Sequence, residues 1–106
     1  MSERTAQFRQ KLASSPENIL LKFSLAQSLF EEEQWDESIK YFLECLEKKP
    51  DWMLSALFLG KAYLEKENYP KAQKFLELTV RLGEEQDHVD PVEEAKGLLR
   101  TSGNLL

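Results

Sequence analysis

The residue types that most often carry catalysis or metal binding are scarce, because the chain has one cysteine, Cys45, and one histidine, His88. His88 lies in a polar stretch, and no second histidine is present to complete a metal site of the common type. Cys45 has no histidine near it in sequence, and it falls within an apolar helical pattern that predicts an inert, packed thiol. The chain also lacks a glycine-rich phosphate loop. We therefore expect no catalytic residue, no metal ligand and no cofactor.

Composition narrows the class of protein further. The 106 residues include 14 lysines and arginines against 19 aspartates and glutamates, a net charge of −5. Nucleic acids and anionic membranes both attract clustered basic residues, so neither is expected as the main partner. Residues 1–5 are polar, unlike a signal peptide, and no apolar run is long enough to span a membrane. These features predict one soluble, acidic, cytoplasmic domain over residues 1–106.

The chain repeats with a period of 34 residues. Pro16 and Pro50 are separated by this distance, and a gapless alignment of residues 16–49 on 50–83 pairs side chains of similar size, such as Leu25 with Leu59. A period of this length is the signature of a repeat architecture, in which each unit stacks on the next. We therefore assign the first repeat to residues 16–49 and the second to residues 50–83.

Within each repeat the apolar residues have helical spacing. Leu21, Leu25 and Leu29 lie four residues apart, as one face of a helix requires. Short polar stretches divide each repeat into two such segments, and Asn18 and Asp51 are suitable N-caps for the first segment of each. The predicted helices cover residues 18–33, 36–49, 52–67 and 70–83.

A further helix is predicted on each side of the repeats, at residues 3–14 and 91–101. The second follows Asp90 and begins with Pro91, which suits the first position of a helix. Residues 83–90 are expected to form an acidic, mobile linker. Because repeat units cannot bury their end faces alone, we expect the two flanking helices to act as caps.

The repeats resemble the tetratricopeptide repeat (TPR), whose 34-residue signature is Trp-x2-Leu-Gly-x2-Tyr, then Ala-x3-Phe-x2-Ala, then Pro. Seven of the sixteen signature positions are identical here: Leu25, Phe42, Pro50, Leu59, Gly60, Tyr63 and Ala72. The other nine hold Lys22, Ala26, Leu29, Ser38, Cys45, Ala56, Leu76, Thr79 and Glu84. The resemblance implies an all-α fold, a short right-handed superhelical stack of antiparallel helical hairpins.

Small residues fall where two helices of such a stack must touch. Antiparallel helices approach closely only where one presents a small side chain to a large one on the other. Ala26 and Gly60 are the predicted contact points on the first helices, and Ser38 and Ala72 are those on the second helices.

A second apolar stripe runs along the first helix of each repeat, beside the stripe that joins the two helices. A helix that is apolar on two sides either is buried or presents one side to a partner. In the resembled family these positions line the concave groove that binds peptides. The predicted partner-binding residues are Leu20, Phe23, Gln27, Phe30, Leu54, Leu57, Phe58, Lys61 and Leu64.

The resemblance also restricts the kind of partner. Family members that bind a C-terminal carboxylate use Lys, Asn and Arg at these positions, whereas here the residues are mostly Leu and Phe and only Lys61 is cationic. We therefore expect an apolar peptide or an amphipathic helix of another protein. Two alternatives remain open: the flanking helices cover the stripe, or the stripe joins two copies of the chain in a homodimer.

Acidic residues occur where helix electrostatics disfavours them. Glu31, Glu32 and Glu33 fall in the last turn of a predicted helix, near the negative end of the macrodipole, and Glu65 and Glu67 repeat this pattern. The carboxylates are either solvated helix ends or an acidic edge that selects a partner with basic flanks.

Overall fold

A computed structural model describes residues 2–103, and all regular secondary structure in that range is α-helical. Two helical hairpins, α2 with α3 and α4 with α5, are stacked side by side, while α1 packs on α2 and α6 packs on α5 and part of α4. The helices are α1 (Glu3–Ser14), α2 (Ile19–Glu31), α3 (Trp35–Lys48), α4 (Met53–Glu65), α5 (Tyr69–Glu85) and α6 (Val89–Gly103).

One turn geometry ends α2, α4 and α5. The turns are residues 32–34, 66–68 and 86–88, and the middle residue of each is in the left-handed region, with φ of 61° at Glu33, 59° at Glu67 and 60° at Asp87. In each turn the next backbone N–H donates to the carbonyl five residues earlier, over 2.8 to 2.9 Å. This combination is the Schellman motif, which satisfies carbonyls at the helix end and reverses the chain tightly.

The stretch 83–90 is not the mobile linker that the sequence suggested. Helix α5 continues to Glu85 and α6 begins at Val89, before Asp90, so that only three residues connect them. Gly83 is buried, and a Cβ atom placed on it would lie 2.5 Å from Cγ2 of Val92. The missing side chain therefore lets α6 pack closely on the end of α5.

The helix ends differ from the predicted ends by at most two residues, and one predicted cap is wrong. Asn18 caps α2 as expected, because its side chain accepts a hydrogen bond of 3.1 Å from the backbone N–H of Leu21. Helix α4, however, begins after Trp52 rather than Asp51, and Trp52 makes no side-chain capping bond. Asn68 also acts as an N-cap, because its side chain accepts a hydrogen bond from the N–H of Lys71 at the start of α5.

The TPR signature positions form the contacts between helices. A Cβ atom on Gly60 would lie 2.6 Å from Cδ2 of Leu76, so α4 and α5 approach too closely there for a side chain on α4. In the first repeat, Ser38 of α3 donates a hydrogen bond of 3.1 Å to the backbone carbonyl of Ala26 of α2. This bond joins the two helices at the predicted contact points Ser38 and Ala26. Thirteen signature residues are buried: Leu25, Ala26, Leu29, Ser38, Phe42, Cys45, Ala56, Leu59, Gly60, Tyr63, Ala72, Leu76 and Thr79.

The three remaining signature positions are polar or exposed. Lys22 is partly buried along its stem, and its ammonium group pairs with Glu44 at 3.1 Å, across α2 and α3. Pro50 lies exposed in the connection between α3 and α4, and Glu84 lies exposed near the end of α5. Helix α5 therefore continues through the position where the signature has its final proline.

Candidate functional site

Helices α2 and α4 present aromatic side chains to each other across the stack. Phe23 and Phe30 are seven residues apart on α2 and so occupy the same helix face. Phe58 of α4 lies between them, with its ring centroid 6.1 Å from that of Phe23 and 5.1 Å from that of Phe30, edge to face in both cases. The three rings form a continuous apolar strip that joins the two hairpins.

Two tryptophans extend this strip at its ends. Trp52 stacks on Phe23 with ring centroids 4.6 Å apart, and Trp35 meets Phe30 edge to face at 5.1 Å. All five rings are partly exposed. We name them the aromatic row, in the spatial order Trp52, Phe23, Phe58, Phe30 and Trp35.

The aromatic row rests on a buried base. Phe42 of α3 is fully buried, stacks on Phe58 at 5.0 Å and meets Phe23 edge to face at 5.5 Å. Offset and edge-to-face ring pairs of this kind are favourable by about 0.5–1.5 kcal/mol each beyond their burial. The exposed rings are therefore held in fixed positions before any partner arrives.

An ion pair between α4 and α6 lies on the face that carries the aromatic row. Lys61 places its ammonium group 5.9 Å from the ring centroid of Phe30 and 5.7 Å from that of Phe58, within cation–π range. The same group pairs with Glu94 of α6 at 2.8 Å. The charge of Lys61 is thus satisfied from both sides, and Glu94 ties α6 to the face.

The predicted partner-binding residues fall into three groups. Leu20 and Leu54 are the most open, with 67% and 39% of their surface exposed, and both lie in the first turn of a helix. Six others are partly exposed: Phe23, Gln27, Phe30, Phe58, Lys61 and Leu64. We call these eight residues, together with Trp35, Trp52 and Glu94, the aromatic face.

Leu57 does not belong to this face, contrary to the sequence-based expectation. It is 5% exposed and belongs to a cluster with Leu76 of α5 and Ala95 of α6. Helix α6 therefore buries Leu57, and Leu64 packs against the same cluster while remaining partly exposed. The alternative that the flanking helices cover the stripe holds fully for Leu57 and in part for Leu64.

Sequence reasoning missed Trp35, Trp52 and Glu94. Trp35 falls in a predicted polar turn and Trp52 at a predicted helix start, and neither position signals contact with rings on other helices. The sequence signal that could have pointed to the two tryptophans is their position next to a predicted helix end, where an apolar side chain can pack on the adjacent helical turn. Glu94 carries no signal of its own, because its pairing with Lys61 depends on how α6 docks.

The residues considered for catalysis have environments that do not favour it. Cys45 is buried, and burial raises the pKa of its thiol to about 11, so the nucleophilic thiolate is scarce at neutral pH. His88 is exposed in the turn between α5 and α6. Among residues 2–103, no group of three or more His, Cys, Asp or Glu side chains is arranged to hold a metal ion. Within the same range, no helix has the length and apolar character to cross a membrane.

The charge on the predicted acidic edge is partly used within the chain. Glu31 pairs with Arg4 of α1 at 2.8 Å, and Glu32 accepts hydrogen bonds from the backbone N–H of Ser2 and from the hydroxyl of Thr5. These two carboxylates therefore hold α1 in place. Glu33, Glu65 and Glu67 remain exposed.

Solved structures of low sequence identity share the fold. A protein of Bordetella parapertussis, solved in solution, superposes with a TM-score of 0.84 at 23% identity, over 98% of this chain and 90% of that chain. The TPR2B domain of yeast Sti1, in a complex with pHsp70, gives 0.85 at 16% identity, over 96% and 82%. A tetratricopeptide repeat domain protein of Salinibacter ruber gives 0.75 at 20% identity, over 86% and 92%. No family model matches the sequence, and no curated protein matches it.

Proposed function

Starting from the TPR fold shared with these structures, we propose that the chain is a non-catalytic protein-interaction module whose aromatic face binds an apolar peptide or an amphipathic helix of another protein. The observation that carries this proposal is the aromatic row, five partly exposed rings in contact along one face. The TPR2B domain of yeast Sti1, which shares this fold, was solved in a complex with pHsp70. That complex supports the proposal because it is an example of the fold bound to a partner.

The physical case rests on area and preorganisation. Aromatic side chains bury about 150–250 Å² each and are enriched at the centres of interfaces. Because the rings of Phe23, Phe58 and Phe30 pack on one another and on Phe42, little side-chain freedom is lost on binding. Leu20 and Leu54 add exposed aliphatic surface near one end of the row.

The polar groups of the face argue against a carboxylate-binding site. Lys61 is the only lysine or arginine of the aromatic face, and its ammonium group is already paired with Glu94 and placed over two rings. An acidic ligand would have to displace Glu94 to reach it. Apolar recognition is therefore the chemistry that this face supports best.

The proposal is tested by selecting peptides from a displayed random library on the wild-type protein and measuring their dissociation constants. Phe58→Ala removes the central ring and should weaken the selected peptides at least about tenfold, as expected for an interface anchor. Leu43→Ala, an equally apolar change at a 39% exposed site on α3, is the matched control and should leave affinity unchanged. If the selected peptides bind Phe58→Ala as tightly as Leu43→Ala and the wild type, the aromatic face is excluded as their binding site.

Self-association through the same face is the second candidate function. It is favoured by Leu20 and Leu54, which are exposed at the beginnings of α2 and α4. Light scattering behind size exclusion, over about a hundredfold dilution, decides between the two. A dimer that Phe23→Asp dissociates supports self-association, whereas a monomer at all concentrations supports a foreign partner.

A further inference from the structure

We propose that the partner segment carries lysine or arginine side chains beside its apolar residues, and that these lie at the Trp35 end of the aromatic face. This inference rests on the proposed function of that face. It adds the charge of the partner and the direction in which it binds.

The Trp35 end of the aromatic face is formed by the turns at residues 32–34 and 66–68. Glu65 lies four residues after Lys61 on α4, so its side chain continues the aromatic face toward this end. Glu33 and Glu67 occupy the left-handed position of each turn. All three are exposed, and none of them makes an ion pair with a residue in the range 2–103.

Helix dipoles add little to the potential at this end. Helices α2 and α4 finish here, but α3 and α5 begin beside them at Trp35 and Tyr69, so negative and positive macrodipole ends lie at the same edge and largely offset each other. The negative potential at this end therefore comes from the three exposed carboxylates.

The nearby cations are already engaged. Arg4 pairs with Glu31 at 2.8 Å, and Lys66 of the second turn pairs with Asp36 in the first turn of α3. Lys71 lies over the ring of Tyr63 at 5.5 Å. Lys71 keeps its charge over that ring, but Glu33, Glu65 and Glu67 outnumber it, so the net charge without an ion-pair partner at this edge is acidic and the complementary partner is basic.

The test uses two synthetic peptides of about 18 residues, long enough to form a helix. Both carry the same Leu and Phe positions and no Trp, and they differ only in a terminal cluster of Lys or of Glu. Binding is followed by the fluorescence of the protein, because its two tryptophans, Trp35 and Trp52, both belong to the aromatic row. We expect the Lys peptide to bind about tenfold more tightly at low salt, which corresponds to a few exposed ion pairs, and the difference to shrink as salt rises.

A charge-reversed variant localises the effect. Glu65→Lys combined with Glu67→Lys should abolish or invert the preference for the Lys peptide. Glu47→Lys combined with Glu77→Lys changes the net charge by the same amount on α3 and α5, away from the aromatic face, and should keep the preference. Circular dichroism establishes that each variant is folded.

Orientation is measured with a nitroxide attached at the Lys end of the peptide. In Trp52→Phe the label should quench Trp35 strongly, whereas in Trp35→Phe it should quench Trp52 weakly. The reverse pattern would overturn the assigned direction.

The outcomes separate the two proposals. If both peptides bind with equal affinity, or the Glu peptide binds more tightly, the basic partner is wrong and the aromatic face stands. If neither peptide binds, or if binding is unchanged in Phe58→Ala, the proposed function itself fails.

Discussion

Glu32 is the C-cap residue of α2, and its carboxylate accepts a hydrogen bond of 3.0 Å from the backbone N–H of Ser2, the N-cap residue of α1. The hydroxyl of Thr5 donates to the same carboxylate, and Thr5 is also within 2.5 Å of the Ser28 hydroxyl. The Glu32 carboxylate is disfavoured by the negative, C-terminal end of α2, but it lies at the positive, N-terminal end of α1, where a negative charge is favoured. Glu31 and Glu32, two of the acidic residues that helix electrostatics disfavours, therefore both bind α1.

Docking of α1 should be sensitive to acid. Hydrogen bonds from Ser2 and Thr5 lower the pKa of Glu32 from its usual 4.5 to about 2. Because the folded-state pKa is below the unfolded one, this stabilisation is complete above about pH 4.5 and is lost as pH falls through about 2. Arg9 lowers the pKa of Glu37 in the same direction, across α1 and α3.

The measurement is the urea midpoint as a function of pH between 7 and 2. The wild-type midpoint should fall more steeply than that of Glu32→Gln, with the two curves converging at the lowest pH. Glu33→Gln, at the adjacent exposed carboxylate, should follow the wild type. Parallel curves for wild type and Glu32→Gln would contradict the role of Glu32.

Leu59 should contribute strongly to stability. It is fully buried at a signature position of α4, so Leu59→Ala removes packed methyl groups and leaves a cavity that costs about 2–5 kcal/mol of unfolding free energy. Leu43→Ala, at a 39% exposed site, should cost within about 0.5 kcal/mol. Denaturant unfolding of both variants tests this, and a loss at Leu59 well under about 1 kcal/mol would contradict the packing.

Two glycines should respond oppositely to alanine. A Cβ on Gly60 meets Leu76 at 2.6 Å, so Gly60→Ala should overpack the contact between α4 and α5 and cost about 1–3 kcal/mol. At Gly97 of α6 the nearest atom is the Arg100 side chain at 3.7 Å, so Gly97→Ala should stabilise by about 0.5–1 kcal/mol. Thermal or urea unfolding measures the sign of the change in unfolding free energy for each variant. A stabilising Gly60→Ala would count against the close approach of α4 to α5.

The left-handed residue of the second turn should be improved by glycine. Glu67 has φ of 59°, a conformation that costs a residue with a Cβ about 1–2 kcal/mol but costs glycine little. After the greater chain entropy of glycine is deducted, Glu67→Gly should raise the unfolding free energy by about 0.5–1 kcal/mol. Glu67→Ala is the control for loss of the charge alone, and it should not stabilise. An equal gain in both variants would assign the effect to charge rather than to the backbone.

Most of the fold was predictable because it depends on local patterns. The 34-residue period, the helical spacing of Leu21, Leu25 and Leu29, and the cap at Asn18 are all properties of short segments. Gly60 could be assigned to a helix contact because a close approach leaves room for no larger residue. The stretch 83–90 escaped this reasoning, since a left-handed Asp87 and a contact between Gly83 and Val92 are set by tertiary packing.

The sequence by itself determined which residues lie on the outer stripe of α2 and α4, because helical periodicity assigns each side chain to a face. Only the tertiary structure decided which of them remain open. Leu57 and Phe58 are neighbours in sequence and both belong to the predicted stripe, but α6 docks over Leu57, which packs with Ala95, while Phe58 stays partly exposed in the aromatic row. The pairing of Lys61 with Glu94 and of Glu32 with Ser2 likewise required the helices to be assembled, because each contact joins residues about 30 positions apart.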